Sequence, residues 1–596
     1  MEPAQGNVPL AAGYLKLLAR LRGLEDAYEI EILSATLANR LSDRALAAEI
    51  LARDPWMVGW TCYLWNVERS LDVSRLVKLA RPDVRVLVGG PEITADNGWV
   101  LERPEIDFAA IGEGEQTFCE LLHGVRNSDV PEKDIAGLYV SPAIERTRAG
   151  VWNDMPVACG NLPLFRQPLP NLNEVSSPYL AGILDAADEK MLLLETLRGC
   201  VFKCKFCYYP KSYDDLYFLS RDKIVANLEH ARRRGAREVV LLDPTLNQRR
   251  DFDDLLRLFA DQNPDRQFTY FGELRAEGIN ADTARLLREA NFTQVEIGLQ
   301  SIDPLAQELM DRKNNLKAFE RGVRAMRDEG IGVKVDLIIG LPGDTRESIL
   351  RSLHYLKDSV LFDEVQVFNL AVLPGTAFRH EARELGLEFQ ARPPYYVLKT
   401  PTLALPELYE LMEVAQELFD TEFDPLPEPR MEDRQAPTCR INLDAVPMPS
   451  ITDSKSLASL LPTPSERPQA FDLRLGANDF RDHADSIRQL IRFILDENPH
   501  TTLQVVLEPG DPDSITSELL SGLRQECYRR TTYLDRFYSI LPGPMKGSKR
   551  LVVVLGEDAM GRLSPETAAA IDEFATPTLK IEAATPCSAA TESQST

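Results

Sequence analysis

A chain of 596 residues is too long for one hydrophobic core, and 44% hydrophobic with 27% charged residues is an ordinary globular composition, so about three domains are expected. The net charge of −25 argues against bulk nucleic acid as a partner, since binding phosphate backbones takes clustered Lys and Arg. The run Arg232-Arg233-Arg234 reads as a solvated helix end. No stretch approaches the ~20 apolar residues of a membrane span, and residues 1–6 lack the basic start and apolar run of a signal peptide. Nine cysteines in this length do not make a disulfide scaffold, and the expected compartment is a reducing cytoplasm.

In chain order, residues 10–21 have helical spacing and precede an apolar run at 28–33. A helix near 45–52 leads to a strand at 57–64, and a helix at 69–80 to a strand at 84–88 that ends in Gly89-Gly90-Pro91. A further strand at 107–111 ends in Gly112-Glu113-Gly114-Glu115. This alternation predicts a doubly wound parallel sheet, with both Gly-rich turns at the strand ends where such sheets bind ligands. Residues 126–189 read as a connector rich in Pro and Asn.

From residue 191 the alternation is cleaner, with strands at 191–196, 238–243, 267–274, 294–300, 333–340 and 364–370. Helices fall between them at 221–234, 252–261, 281–290, 316–329 and 346–357. Gly235 and Gly330 sit where left-handed C-caps are wanted, and Asp344 with Glu347 fits a capping-box start. Six βα repeats predict a partial (β/α)6 barrel. After a helix at 407–419 comes a Pro-dense linker beginning at Asp424-Pro425, then a small α/β unit with strands near 471–475, 503–507 and 551–555. The division is 1–125, connector 126–189, barrel 190–380, helical extension 381–425, linker 426–469, α/β unit 470–576 and disordered tail 577–596.

The chemistry is written in Cys200-Val-Phe-Lys-Cys204-Lys-Phe-Cys207, directly behind the first barrel strand. Three soft thiolates in one short loop can grip three irons of a cube, and with no fourth Cys nearby one iron stays open. Structural zinc wants four ligands, usually as two separated pairs, whereas the neighbouring cysteines in sequence are Cys159 and Cys439.

This Cys-x3-Cys-x2-Cys spacing, with Phe206 before the last Cys, resembles the radical S-adenosylmethionine (SAM) superfamily signature. The segment 295–301 looks like that family's fourth strand, 335–343 like its fifth, and Leu373-Pro374-Gly375-Thr376 like the exit from its sixth. The resemblance implies a [4Fe–4S] cluster on Cys200, Cys204 and Cys207, with SAM chelating the open iron. One electron then breaks a carbon–sulfur bond, releasing methionine and a 5′-deoxyadenosyl radical. Tyr208 and Tyr209 are candidates for the adenine pocket, and Glu296, Gln300, Ser301 and Gly340 for the ribose and methionine ends. Strand-end polar groups of this kind also serve as caps of the helices that follow.

The segment 59–66, which contains Thr61, together with Gly89, Gly90, Pro91, Glu92, Glu113 and Gly114, resembles the cobalamin-binding domain found ahead of many radical SAM cores. Glycines at strand ends let a backbone approach a large planar ligand. No His precedes His123, so the lower-ligand His of the methionine-synthase type is excluded in this domain. The strand that normally opens such a domain has no counterpart, residues 1–5 being short and polar.

The resemblance therefore implies a cobalamin-dependent radical SAM enzyme that functionalises an unactivated carbon by methyl transfer. Its substrate would be a small molecule or peptide, and its electron donor a flavodoxin or ferredoxin. A basic patch around Lys203, Lys205 and Lys211 is expected to receive the donor. The alternative is a cobalamin-free radical SAM oxidoreductase or cyclase, and a third class is an iron–sulfur electron carrier. The open iron argues against a carrier.

Overall fold

The computed structural model describes residues 8–127, 135–141, 166–423, 438–446, 458–461 and 468–579, apart from residues 176, 188, 189, 210–212, 214, 537, 541, 542 and 557–562. Cys159, Lys211, the proline stretch from Asp424 and the tail beyond residue 579 lie outside these residues. Among the described residues no helix is long and apolar enough to cross a membrane. The chain divides into two units, one of residues 1–39 and 50–425, the other of residues 40–49 and 426–596.

The first unit begins with helix Leu10–Leu21, which packs against helix Gly114–Asn127. Residues 28–34 join no ladder, and Tyr28 gives its hydroxyl to the Leu122 carbonyl (2.9 Å). The sheet consists of β1 (Met57–Thr61), β2 (Arg85–Gly89), β3 (Phe108–Ala110) and β4 (Leu138–Val140) in that order. The first three are parallel and β4 runs antiparallel to β3. Asp107 pins its lower edge: the buried carboxylate takes the Val86 amide (2.7 Å), Lys78 (2.5 Å) and Arg85 (3.1 Å).

The same unit continues as a curved parallel sheet with its strands in sequential order. These are β5 (Met191–Leu194), β6 (Glu238–Leu241), β7 (Thr269–Phe271), β8 (Glu273–Leu274), β9 (Gln294–Gln300), β10 (Gly332–Ile339) and β11 (Glu364–Asn369). β7 and β8 are halves of one predicted strand, parted at Gly272, whose carbonyl accepts the Glu296 amide (3.1 Å) and so joins the two halves of the sheet. The result is the six-repeat partial barrel, with helices Arg221–Arg233, Phe252–Asp261, Ala281–Ala290, Leu316–Asp328 and Arg346–Ser359 between strands. On β9, Val295, Ile297 and Leu299 are buried, while Glu296, Gly298 and Gln300 occupy the other, half-open face. Period-two alternation thus sends apolar residues to the core and polar ones to the lumen. Gly235 and Gly330 adopt φ of +79° and +74°, the left-handed C-cap geometry. The capping box sits one residue later than expected: Thr345 and Ser348 form it, while Asp344 accepts the Ser348 hydroxyl (2.7 Å).

The second unit is a five-stranded, all-parallel sheet of β12 (Thr438–Asn442), β13 (Ala470–Ala477), β14 (Thr502–Pro509), β15 (Lys549–Leu555) and β16 (Thr576–Leu579). Two expectations are corrected here. β12 lies within the stretch read as linker, and β16 crosses the boundary read as the start of a disordered tail. Both are edge strands: β12 buries one apolar side chain, Ile441, and β16 carries Pro577, which an edge tolerates. Neither therefore shows the apolar alternation that marks an inner strand. Residues 40–49, assigned by sequence to the first domain, also belong to this unit. Asp43 accepts the His500 amide (3.0 Å), Arg44 pairs with Glu497 (2.6 Å), and Leu41 bridges to Pro468.

Candidate functional site

The cysteine loop leaves the barrel at the end of β5 and is held at every turn. Gly199 has φ of +105°, and a side chain there would overlap the Asp215 carbonyl, so only glycine fits. The Gln248 amide clamps the next residues, donating to the Gly199 carbonyl (3.1 Å) and accepting the Val201 amide (2.9 Å). Arg275 lies over the Phe202 ring at 4.2 Å. The Lys205 amide donates to the Met310 carbonyl and the Lys205 carbonyl accepts from Phe378, both at 3.0 Å. Elements far along the barrel thus fix one eight-residue loop.

Cys204 is buried and Cys200 and Cys207 are half-buried. Burial pushes the Cys207 thiol up to about 12, with Cys204 and Cys200 adding to the rise, and Cys200 is raised by burial and by Cys204. The three sulfurs therefore share one desolvated neighbourhood in which their anions repel, an arrangement that a cationic iron centre relieves by displacing the protons. Among the described residues no three His, Cys, Asp or Glu side chains converge on a single ion. Three thiols on one eight-residue loop match the donor set of a cluster that takes a separate iron at each sulfur. Arg312 stands beside it, Nη1 3.8 Å from the Cys204 Sγ and Nη2 bonded to the Gly298 carbonyl.

The strand-end candidates divide. Gln300 has φ of +66° at an irregularity in the β9–β10 register, and its Oε1 is buried with no hydrogen-bond partner among the described residues. Strain and an unused acceptor beside the cysteine loop keep Gln300 available to a ligand. Glu296 faces the lumen with Glu273, Lys334 and Asp336, its carboxylate 3.4 Å from the Lys334 Nζ. Asp336 is buried, and burial with the Glu296 charge raises it to about 9. Tyr209 is 37% exposed, and Tyr208 is half-buried. Ser301 and Gly340 do other work. Ser301 is buried, its hydroxyl accepting the Asp303 amide (3.1 Å) where helix Pro304–Leu309 begins. Gly340 makes room for Val397, 2.7 Å from where a Cβ would stand.

At the mouth of the N-terminal sheet, Gly90 has φ of +103° and a Cβ there would lie 2.7 Å from the Cys62 carbonyl oxygen, so this glycine packs β1 against the turn after β2. Next to Thr61, the rings of Tyr63 and Trp65 stack at 4.7 Å. The indole N–H groups of Trp60 and Trp65 are buried without an acceptor among the described residues, which suits a ligand rich in amide carbonyls. Glu92 and Glu113, expected at the corrinoid, have partners within the fold. The Tyr395 hydroxyl donates to Glu92 (2.6 Å) and accepts from the Trp99 indole (3.2 Å). Glu113 binds Arg198 (2.9 Å) and the Leu169 amide (2.6 Å). These partners lie 303, 85 and 56 residues away, beyond any local signal.

Residues 194–356 match the family model of the radical SAM superfamily, and residues 9–122 that of the B12 binding domain. The chain thus carries a radical SAM domain. Its radical SAM domain contains the cysteine loop and most of the barrel, and a B12-binding domain stands before it. The cofactors implied are a [4Fe–4S] cluster, SAM and cobalamin.

The chain is 27% identical over 388 residues to the cobalamin-dependent radical SAM methyltransferase TokK of Streptomyces tokunonensis, covering 62% of this chain and 54% of that one. It is 24% identical over 377 residues to the anaerobic magnesium-protoporphyrin IX monomethyl ester cyclase of Rubrivivax gelatinosus, covering 59% of this chain and 62% of the other. The match thus spans little more than half the length of these relatives. Among solved structures, the cobalamin-dependent SAM radical enzyme OxsB superposes with a TM-score of 0.55 at 12% identity, over 90% of this chain and 78% of that one, a likeness of fold.

Proposed function

We propose that this protein is a cobalamin-dependent radical SAM methyltransferase that acts on an unactivated carbon of a small molecule or peptide. The observation that carries the reading is the trio of desolvated thiols on a rigid loop at the end of β5, in a chain that also has a B12-binding domain. Cys200, Cys204 and Cys207 would hold the cluster, and Arg312 would offset the charge that Cys204 gains on losing its proton. Gln300, Glu296, Tyr208 and Tyr209 would line the SAM site. Thr61, Gly89, Gly90 and Pro91, with the indoles of Trp60 and Trp65, would border the corrinoid. When bound, the cluster and cobalamin supply reductive cleavage of SAM and a transferable methyl group. A reduced flavodoxin or ferredoxin in a reducing cytoplasm would provide the electron.

A second reading is favoured by the likeness to the monomethyl ester cyclase: a cobalamin-free radical SAM oxidoreductase or cyclase. Anaerobic reconstitution of the full chain with iron, sulfide and hydroxocobalamin separates them. The proposal expects one cluster and one corrinoid per chain, and 5′-deoxyadenosine from SAM under reduction. Clusters and SAM cleavage without corrinoid uptake would reject the methyltransferase and leave the oxidoreductase or cyclase.

A further inference from the structure

Arg198 lies two residues before Cys200 and is buried, 6% exposed. Its guanidinium is shared by carboxylates from two domains. Nη1 meets Glu113 (2.9 Å) and Glu115 (2.8 Å), at the start of the last helix of the B12-binding domain. The other edge meets Glu195 of the barrel, Nη2 at 3.0 Å and Nε at 3.3 Å. The ring of Tyr14, from the first helix, lies 5.2 Å from the guanidinium carbon. Glu113 also takes the Leu169 amide, which draws the connector into the same knot.

A flat fork with five donors can serve two sides at once, and a point charge cannot. Two buried carboxylates, Glu113 and Glu115, and the half-buried Glu195 around one cation leave the knot little slack, because losing the cation strands buried anions. The link onward to the cysteines is rigid. Gly199 is confined by the Asp215 carbonyl, and Gln248 holds both Gly199 and Val201. A shift of Arg198 is therefore passed to Cys200.

We propose that Arg198 is a positioning residue that locks the cysteine loop to the B12-binding domain through Glu113 and Glu115. The inference rests on the proposed function for its purpose, since two cofactors must reach one substrate carbon, but the lock is testable without a substrate. Coupling of this kind is reciprocal: a change on one side is felt on the other.

The test uses the full-length reconstituted protein, with Arg198→Lys on the barrel side and Glu113→Gln/Glu115→Gln on the other. Each amide keeps one acceptor oxygen and removes the charge, so Glu113→Gln can still serve either Arg198 or the Leu169 amide. Hydrogen exchange read by mass spectrometry should rise about tenfold in residues 199–207 of the glutamine variant, and by a similar factor in residues 111–120 of the lysine variant. Bound iron should stay at the wild-type level. The electron paramagnetic resonance spectrum of the reduced cluster with SAM should change in both, a signature that simple loss of stability would not produce. Unchanged exchange in residues 199–207 of the glutamine variant overturns the lock. Should Arg198→Lys fail to fold, the glutamine variant decides alone, because its changes lie wholly outside the radical SAM domain. Wild-type protein that takes up no hydroxocobalamin rejects the proposed function, while the exchange result still decides the lock.

Discussion

Among the described cysteines, Cys200, Cys204 and Cys207 are those proposed to hold the cluster, and others are taken up by the fold. Cys62 is fully buried under the turn after β2, Cys527 is buried with its thiol pushed up to about 12, and the Cys439 thiol donates to the Leu460 carbonyl (3.3 Å). Replacing Cys200, Cys204 or Cys207 by Ala should each abolish the cluster absorbance and 5′-deoxyadenosine formation, whereas Cys439→Ala should leave both intact. A Cys207→Ala protein that still cleaves SAM would contradict the assignment. Glu92 offers a second residue-scale test. Burial raises its carboxyl from the ordinary 4.5 to about 7, against the opposing pull of the Tyr395 hydroxyl and Arg379. Between these values the folded state binds a proton that the unfolded state has released. Its contribution is therefore complete below pH ~4.5 and falls by up to about 3 kcal/mol as pH rises towards 7. Glu92→Gln keeps a partner for Tyr395 and cannot ionise. Its melting temperature relative to wild type should climb between pH 5 and pH 8, and a constant difference would show that Glu92 is already ionised at pH 5.

At the scale of elements, glycine decides how close a helix can come. Gly322 lies in helix Leu316–Asp328, and a Cβ there would overlap the Ala276 carbonyl in the turn after β8. Gly→Ala inside a helix ordinarily stabilises by about 1 kcal/mol. Here the overlap, at about 1–3 kcal/mol for overpacking, reverses the sign. Gly322→Ala should lower the melting temperature, and by displacing Ala276 it should also disturb Arg275 and the Phe202 ring that Arg275 covers. A rise in melting temperature would mean that the helix can slide away at no cost. The helix and its left-handed cap at Gly330 were legible from spacing, but the backbone against which Gly322 rests belongs to a different βα repeat. The same holds for the basic patch expected beside the cluster: Lys205 pairs with Glu381 (2.7 Å), and Lys211 lies outside the described residues, leaving Lys203 as the exposed lysine of that trio.

For the whole molecule, the division of the chain departs from its linear order. Residues 40–49 are embedded in the C-terminal unit, where Asp43 is fully buried and accepts the His500 amide. Asp43→Ala in the full chain should cost that unit about 1–3 kcal/mol, the penalty of an abandoned buried hydrogen bond. The loss should appear as faster hydrogen exchange at the amino ends of β13 and β14, with cluster content unchanged. Protection at wild-type level would show that residues 40–49 do not support the unit.

What the sequence determined by itself is whatever depends on neighbours a few residues apart. The cysteine spacing, the βα alternation of the barrel and the left-handed glycine caps all repeat or close within one turn, so they are written locally. The tertiary structure alone decided which polar groups lose water together. Glu113 and Arg198, Glu92 and Tyr395, and Asp43 and His500 are ordinary surface-type residues in the sequence. They become structural because folding buries each beside a partner dozens to hundreds of positions away, and a buried charge or donor must then be met. Edge strands β12 and β16 escaped for the complementary reason. Their place in the sheet comes from backbone hydrogen bonds to one neighbour, which leave almost no mark on side-chain pattern.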